Sequence, residues 1–289
     1  MTVETLLRGK IGGFMGLAAL LFSAWGCPTP QPNHPAGPGK GTHGTETVDP
    51  KVTLPEGRDA QLAFARNKMK MRDEFASVTQ AVEAYRRIVA HGTPSADILA
   101  EALQASCRAA EIAESDTAVA HYVQLTVAWA DKGMQAFPKR VEFPYRKAVA
   151  IGIQTERVSK NALDRVRELE KLLLTAQKLD ERYDHAGPLR LLGAVYVKAP
   201  EVGSIGDPDK GVKLLERAVS LFSDYPPNHF FLGEGYFKQE EFDKAAKEFK
   251  TVLDAGSLPD YSDRDAKWFK ERAENYLKKI RRRNAGGDV

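Results

Sequence analysis

Leu232-Gly233-Glu234-Gly235-Tyr236, followed by Ala245 and Phe249, is the stretch that decides the fold. Its opening pattern repeats an earlier one, Leu192-Gly193-Ala194-Val195-Tyr196, which is followed by Gly211, Leu215 and Ala218. The spacing has a packing reason. A glycine on one helix lets the second helix of a hairpin approach closely. Leu and Tyr then fill the gap, and the small residue, Ala245 or Gly211, sits where the helices cross.

The Ala-x-x-x-Phe element, at its distance from the glycine, resembles that of a tetratricopeptide repeat. The two copies lie about six residues further apart than one such repeat. The excess falls in the turn Lys198-Ala199-Pro200-Glu201-Val202-Gly203-Ser204-Ile205-Gly206-Asp207. A longer turn costs little closure entropy, and long loops also carry function, so both readings of it stay open.

Outward from these copies the chain is helical in pattern. No stretch sustains the period-two alternation of half-buried strands. Leu163, Val166, Leu169, Leu173, Ala176 and Leu179 predict one face of a helix from about Ser159 to Glu181. Ala266, Phe269, Ala273, Tyr276, Leu277 and Ile280 mark a last helix, opened by Ser262 with Asp265 at capping-box spacing. Asp207-Pro208 predicts a helix start of another kind, an acidic N-cap before a first-turn proline. Breaks are expected at His91 to Pro94, Pro138, Gly187-Pro188, Pro200 to Pro208, Tyr225 to Pro227 and Gly256 to Pro259. More degenerate hairpins are read upstream: Phe64 to Met71 with Val78 to Val89, then Val123 to Phe137, with Phe143 to Ile153 opening the next. The expectation is an all-α, tetratricopeptide-like helical-hairpin solenoid of about eleven helices over residues 57–284, with a short tail at 285–289.

The N-terminus reads differently. Arg8 and Lys10 precede an apolar run from Ile11 to Phe22, which is short of the about 20 residues that span a bilayer. Ser23-Ala24-Trp25-Gly26-Cys27 then ends what reads as an export signal, residues 1–26. The pattern resembles a bacterial lipoprotein signal, which implies lipidation of Cys27. Residues 27–56 are rich in Pro, Gly and Thr and almost devoid of large apolar side chains, so a disordered tether with a reach of roughly 30 Å is expected. His34 and His43 sit in it as solvated residues. Pro28 is not the aspartate that favours inner-membrane retention in enterobacteria, so a periplasmic, outer-membrane-anchored body is expected.

The chain has 28% charged residues and a net charge of +3, so neither sign implies nucleic acid. Beyond Cys27 only Cys107 remains, among small residues in a helical run, which predicts a packing cysteine and no disulfide framework. No phosphate-binding glycine loop, Gly-x-Ser-x-Gly, His-Glu-x-x-His or Cys-x-x-Cys occurs. Asp184-His185 are adjacent, but neighbours on a helix face apart, and His91 and His121 read as solvated or core residues. No enzyme, cofactor or metal is expected. The basic end, Lys278-Lys279-Ile280-Arg281-Arg282-Arg283, reads first as last-turn cations complementing the helix dipole, with anionic headgroups as the second reading.

The stretch Lys178-Leu179-Asp180-Glu181-Arg182-Tyr183-Asp184-His185-Ala186-Gly187-Pro188-Leu189-Arg190-Leu191-Leu192-Gly193-Ala194-Val195-Tyr196 carries a further likeness. It continues through the turn at Pro200 to Asp207, a helix like Gly211 to Leu221, and Tyr225-Pro226. More loosely, it reaches back to Trp129-Ala130-Asp131-Lys132-Gly133, covering roughly residues 120–255. This resembles the TatT family, the T component associated with TRAP-type transporters. The resemblance implies a lipoprotein of cryptic tetratricopeptide repeats working in the periplasm beside a solute-binding protein. It also implies a channel or apolar cavity for a hydrophobic solute.

Three functions follow. As a scaffold gripping a protein, the first helices would present Arg190, Phe230, Glu234, Phe237 and Lys238 to the partner. As a carrier of a hydrophobic small molecule, Tyr183, His185, Tyr196, His229 and Phe231 would line the cavity, against the plainer alternative of core packing. As an envelope assembly factor, the chain would use the same fold on secretion or outer-membrane machinery. Self-association stays open in all three.

Overall fold

The structure, a computed structural model, describes residues 52–157, 162–258 and 261–286. The expected signal, Cys27, most of the tether and the last three residues lie outside these, as does the expected helix start near Ser159. Among the described residues there are eleven α-helices and no strand. They form two compact units, which divide between Pro138 and Lys139.

The first unit holds α1 (Arg58–Lys68), a 3-10 turn (Met69–Met71), α2 (Phe75–Ala90), α3 (Ala96–Ile112) and α4 (Asp116–Ala136). Ser95 and Ser115 cap α3 and α4 by accepting hydrogen bonds from the amides of Ile98 and Ala118. Its core is built largely of small side chains around Tyr85, Leu103 and Tyr122, which lets the helices pack closely. Buried Thr126 donates to Ser106 at 2.8 Å. Cys107 is fully buried, a packing position as the sequence suggests.

The second unit holds α5 (Glu142–Arg157), α6 (Ala162–Leu179), α7 (Tyr183–Lys198), α8 (Pro208–Leu221), α9 (Pro226–Lys238), α10 (Phe242–Asp254) and α11 (Asp263–Asn284). Consecutive helices pack as antiparallel hairpins. In α7–α8, a Cβ at Gly193 would lie 2.9 Å from the carbonyl oxygen of Gly211. One at Gly211 would lie 2.8 Å from that of Gly193, so the two glycines mark the crossing. In α9–α10 the corresponding glycine is Gly233, where an added Cβ would lie 2.8 Å from the ring of Phe249. Asp207 and Ser262 cap α8 and α11 through the amides of Lys210 and Asp265, as their spacing predicts.

The long turn between α7 and α8 closes on itself. Asp207 N donates to the Tyr196 carbonyl at 2.9 Å and Gly206 N to that of Pro200 at 3.0 Å. Val202, at its tip, is 94% exposed.

One break differs from its expected place. Gly187-Pro188 reads as a helix stop, yet Pro188 lies in α7, and the chain turns earlier. Asp184, His185 and Ala186 all hold left-handed backbone, with φ of 52°, 53° and 62°. Three such residues in a row without glycine store strain of about 1–2 kcal/mol each, which the surroundings must hold in place.

Candidate functional site

What holds that turn is Arg190, one helical turn and more downstream on α7. Its guanidinium, 5% exposed as a residue, donates to the carbonyls of Asp184 (3.3 Å) and His185 (3.0 Å) and to Asn228 Oδ1 (3.0 Å). Asn228 on α9 returns hydrogen bonds from its amide to the carbonyls of His185, Ala218 and Phe222. Tyr145 on α5 donates to Asp184 Oδ2 at 2.5 Å, and Arg146 and Arg190 approach the same carboxylate at 3.8 and 3.4 Å. Burial opposes ionisation of Asp184, but the two guanidinium groups and the Tyr145 hydroxyl outweigh it and hold its pKa below the usual range. Gly187 is required here, because a Cβ would meet the Tyr145 hydroxyl at 2.4 Å.

Aromatic rings surround this knot. His185 stacks on Tyr225 at 4.3 Å, Tyr145 meets Tyr183 edge-on at 5.3 Å, and Tyr225 meets Tyr261 at 5.8 Å. Arg190 lies over the Tyr225 ring. Burial pushes the Tyr225 phenol up to about 12 and the Tyr261 phenol further up. Among the described residues, the Tyr261 hydroxyl has no hydrogen-bond partner, and it is buried. Tyr145, Tyr183, Tyr225 and Tyr261 each stand at or near the entry of every second helix, so a recurring tyrosine was the signal that could have found this cluster.

Of the five side chains expected to line a cavity, Tyr183 and His185 meet in this cluster, and three lie elsewhere. Tyr196 donates to Glu170 Oε1 at 2.6 Å and receives Lys210 at 2.6 Å. His229 contacts Glu248 Oε2 at 2.6 Å and the Ser223 carbonyl at 2.7 Å. Phe231 is packed in the core with Phe230 and Phe269.

Of the five expected partner contacts, Arg190, Phe230 and Glu234 are buried. The reason is α11, which covers that face of α9: Phe230 packs against Phe249, Trp268, Phe269 and Tyr276. Glu234 is taken up by a buried ion pair with Lys198 at 2.6 Å, and it accepts from Tyr276 at 2.9 Å. Phe237 is half-buried against Phe242 and Tyr276, while Lys238 is exposed. The sequence reading singled out the basic end of this covering helix, but not the groove on its outer side. There Arg272, Asn275, Tyr276, Lys278, Lys279 and Arg282 line a groove of about 340 Å³. Among the described residues no cluster of His, Cys, Asp and Glu could hold a metal ion.

The helical-hairpin geometry is that of solved tetratricopeptide-repeat structures. One, TTC0263, a thermophilic TPR protein of Thermus thermophilus, aligns with a TM-score of 0.56 at 15% identity, covering 77% of this chain and all of the other. MamA 41-end from Desulfovibrio magneticus RS-1 aligns with a TM-score of 0.47 at 16% identity, covering 70% and 96% of the two chains. The first of these establishes a TPR-like fold and nothing finer. No protein-family model and no curated protein matches the chain.

Proposed function

We propose that this chain is a lipid-anchored periplasmic repeat scaffold that binds a protein partner, an accessory of TRAP-type solute uptake held at the outer membrane through Cys27. The observation that carries the reading is the pairing of a TPR-like body with Ser23-Ala24-Trp25-Gly26-Cys27 at the end of a short apolar run. Repeat hairpins of this kind present side chains for protein recognition rather than a catalytic constellation, so no enzymatic step is assigned. Partner contact is assigned to Phe237 and Lys238, at the end of α9, because they reach the surface. Arg190 is withdrawn from that role: reversing its charge would break the left-handed turn and report on folding.

The test is crosslinking and pull-down from intact cells, comparing the native chain with Lys238→Glu. Recovery of a periplasmic solute-binding protein, weakened by Lys238→Glu, is expected. Recovery of secretin or outer-membrane assembly subunits instead would overturn the transporter assignment. Metabolic labelling with a fatty acid, lost on Cys27→Ser, checks the anchor separately.

A further inference from the structure

We propose that the exposed face of α11 from Arg272 to Arg283 docks on an anionic phospholipid surface. From Asn275 to the end of α11 the helix carries five cations, Lys278, Lys279, Arg281, Arg282 and Arg283, and no acid. Of these, Arg283 is paired, with Glu240 at 3.2 Å, while among the described residues no carboxylate lies within ion-pair distance of Lys278, Lys279, Arg281 or Arg282. All four are exposed. Four acids lie earlier on the helix, Asp263, Asp265, Glu271 and Glu274; Glu271 pairs with Lys267 at 4.0 Å, and exposed Glu274 stands one turn before Lys278. The groove adds the Asn275 amide, while Arg272, which also lines it, turns its guanidinium inward over the Trp268 ring and toward Glu234 at 4.0 Å. The result is a donor-lined strip about 17 Å long.

A helix dipole is served by one or two cations in the last turn, so five exceed that need. The choice of a lipid surface over an acidic protein rests on what the strip lacks. Of the apolar side chains of α11, Trp268, Phe269, Ala273 and Ile280 are buried against α9 and α10, Leu277 is half-buried against the same core, and Tyr276 is committed to Glu234. No aromatic or aliphatic anchor is left outside, whereas protein interfaces draw most of their affinity from such anchors and are poor in lysine. A row of lysine and arginine without an anchor matches a diffuse, laterally mobile layer of phosphates, where each cation contributes about fivefold in partition. The contact is a headgroup contact, without insertion, and it does not depend on lipid at Cys27.

The experiment is co-sedimentation of the full chain carrying Cys27→Ser with two sets of vesicles, phosphatidylcholine alone and equal parts phosphatidylcholine and phosphatidylglycerol. The difference between the two isolates the charge-dependent part from any contribution of the apolar run at residues 11–22. Partition into the anionic vesicles is expected to be at least about 100-fold stronger and to collapse at high salt. Lys279→Gln with Arg282→Gln is expected to lower it about 25-fold with an unchanged circular-dichroism spectrum. Lys213→Gln with Lys250→Gln, exposed on α8 and α10, removes the same charge and is expected to leave it nearly unchanged. Equal partition into both vesicles overturns the proposal. So does an equal loss in the two double variants, or binding to soluble polyglutamate as tight as to the anionic vesicles, which would indicate an acidic protein.

Discussion

The two copies of the Leu-Gly-x-x-Tyr hairpin place opposite chemistry at one position. Three residues before the glycine stands Arg190 in the first copy and Phe230 in the second. Both are buried at 5% exposure or less. Arg190 ties backbone carbonyls and Asn228 together at the entry of its own hairpin, whereas Phe230 fills an aromatic core closed by α11. What the copies share lies further along. Tyr196 donates to Glu170 on α6 and Tyr236 to Glu216 on α8, in each case a glutamate on the preceding helix. The repeat therefore fixes the crossing of its helices and the anchoring of its tyrosine. How a hairpin is entered is decided by what the chain places next to it.

Exchanging the two chemistries should have the largest effect. Phe230→Arg puts an unpaired charge among Phe249, Trp268 and Phe269, and is expected to cost more than about 5 kcal/mol, unfolding the α9–α11 region in urea titration. Retention of a native midpoint would show that this core is looser than its burial implies. Arg190→Met should cost about 4 kcal/mol, because it leaves the Asp184 carbonyl and Asn228 Oδ1 without their buried donor and removes one of the two guanidinium groups beside the Asp184 carboxylate. Its loss should appear first as faster amide exchange at residues 183–187, and uniform exchange would refute a local clamp.

At the crossings, Gly193→Ala is expected to cost about 2 kcal/mol and Gly233→Ala about 1, measured as shifts in thermal midpoint. The first pushes on the α8 backbone, and the second on a ring that can tilt. The reverse order would mean that α8 yields more easily than Phe249.

The smallest effect is a pH dependence found in the second copy alone, where His229 replaces Leu189 of the first. Burial lowers the His229 pKa, but Glu248 and the Ser223 carbonyl outweigh it, so the folded value is raised. A raised folded pKa gives stability fully present below the unfolded value of about 6.5 and lost as pH rises through the folded one. The advantage of the native chain over Glu248→Gln, about 1 kcal/mol in mild acid, should therefore shrink towards alkaline pH. An advantage that grew with pH would reverse the assigned charge states.

The crossings were legible because they need small residues at fixed spacing, and Gly193, Gly211 and Gly233 are unambiguous. So were the caps at Asp207 and Ser262, which act within a few residues. The turn at Asp184 to Ala186 was not, because nothing local favours three left-handed residues there, and Asn228, which helps hold it, is distant in sequence. The burial of Phe230 and Glu234 was also hidden. Reasoning by repeat position treats their face as open, and only the fold shows the last helix lying over it. Lys198 and Glu234 carry no sequence signal of pairing, since they sit on different helices and meet through the packing of α7 on α9.

The turn between α7 and α8 has a practical consequence. Because the amides of Gly206 and Asp207 close it at its base, the residues around Val202 form an appendage whose length the hairpin does not sense. An epitope or fluorescent reporter inserted between Glu201 and Gly203 would ride outside the repeat, giving a handle on this protein in the cell without touching either crossing glycine.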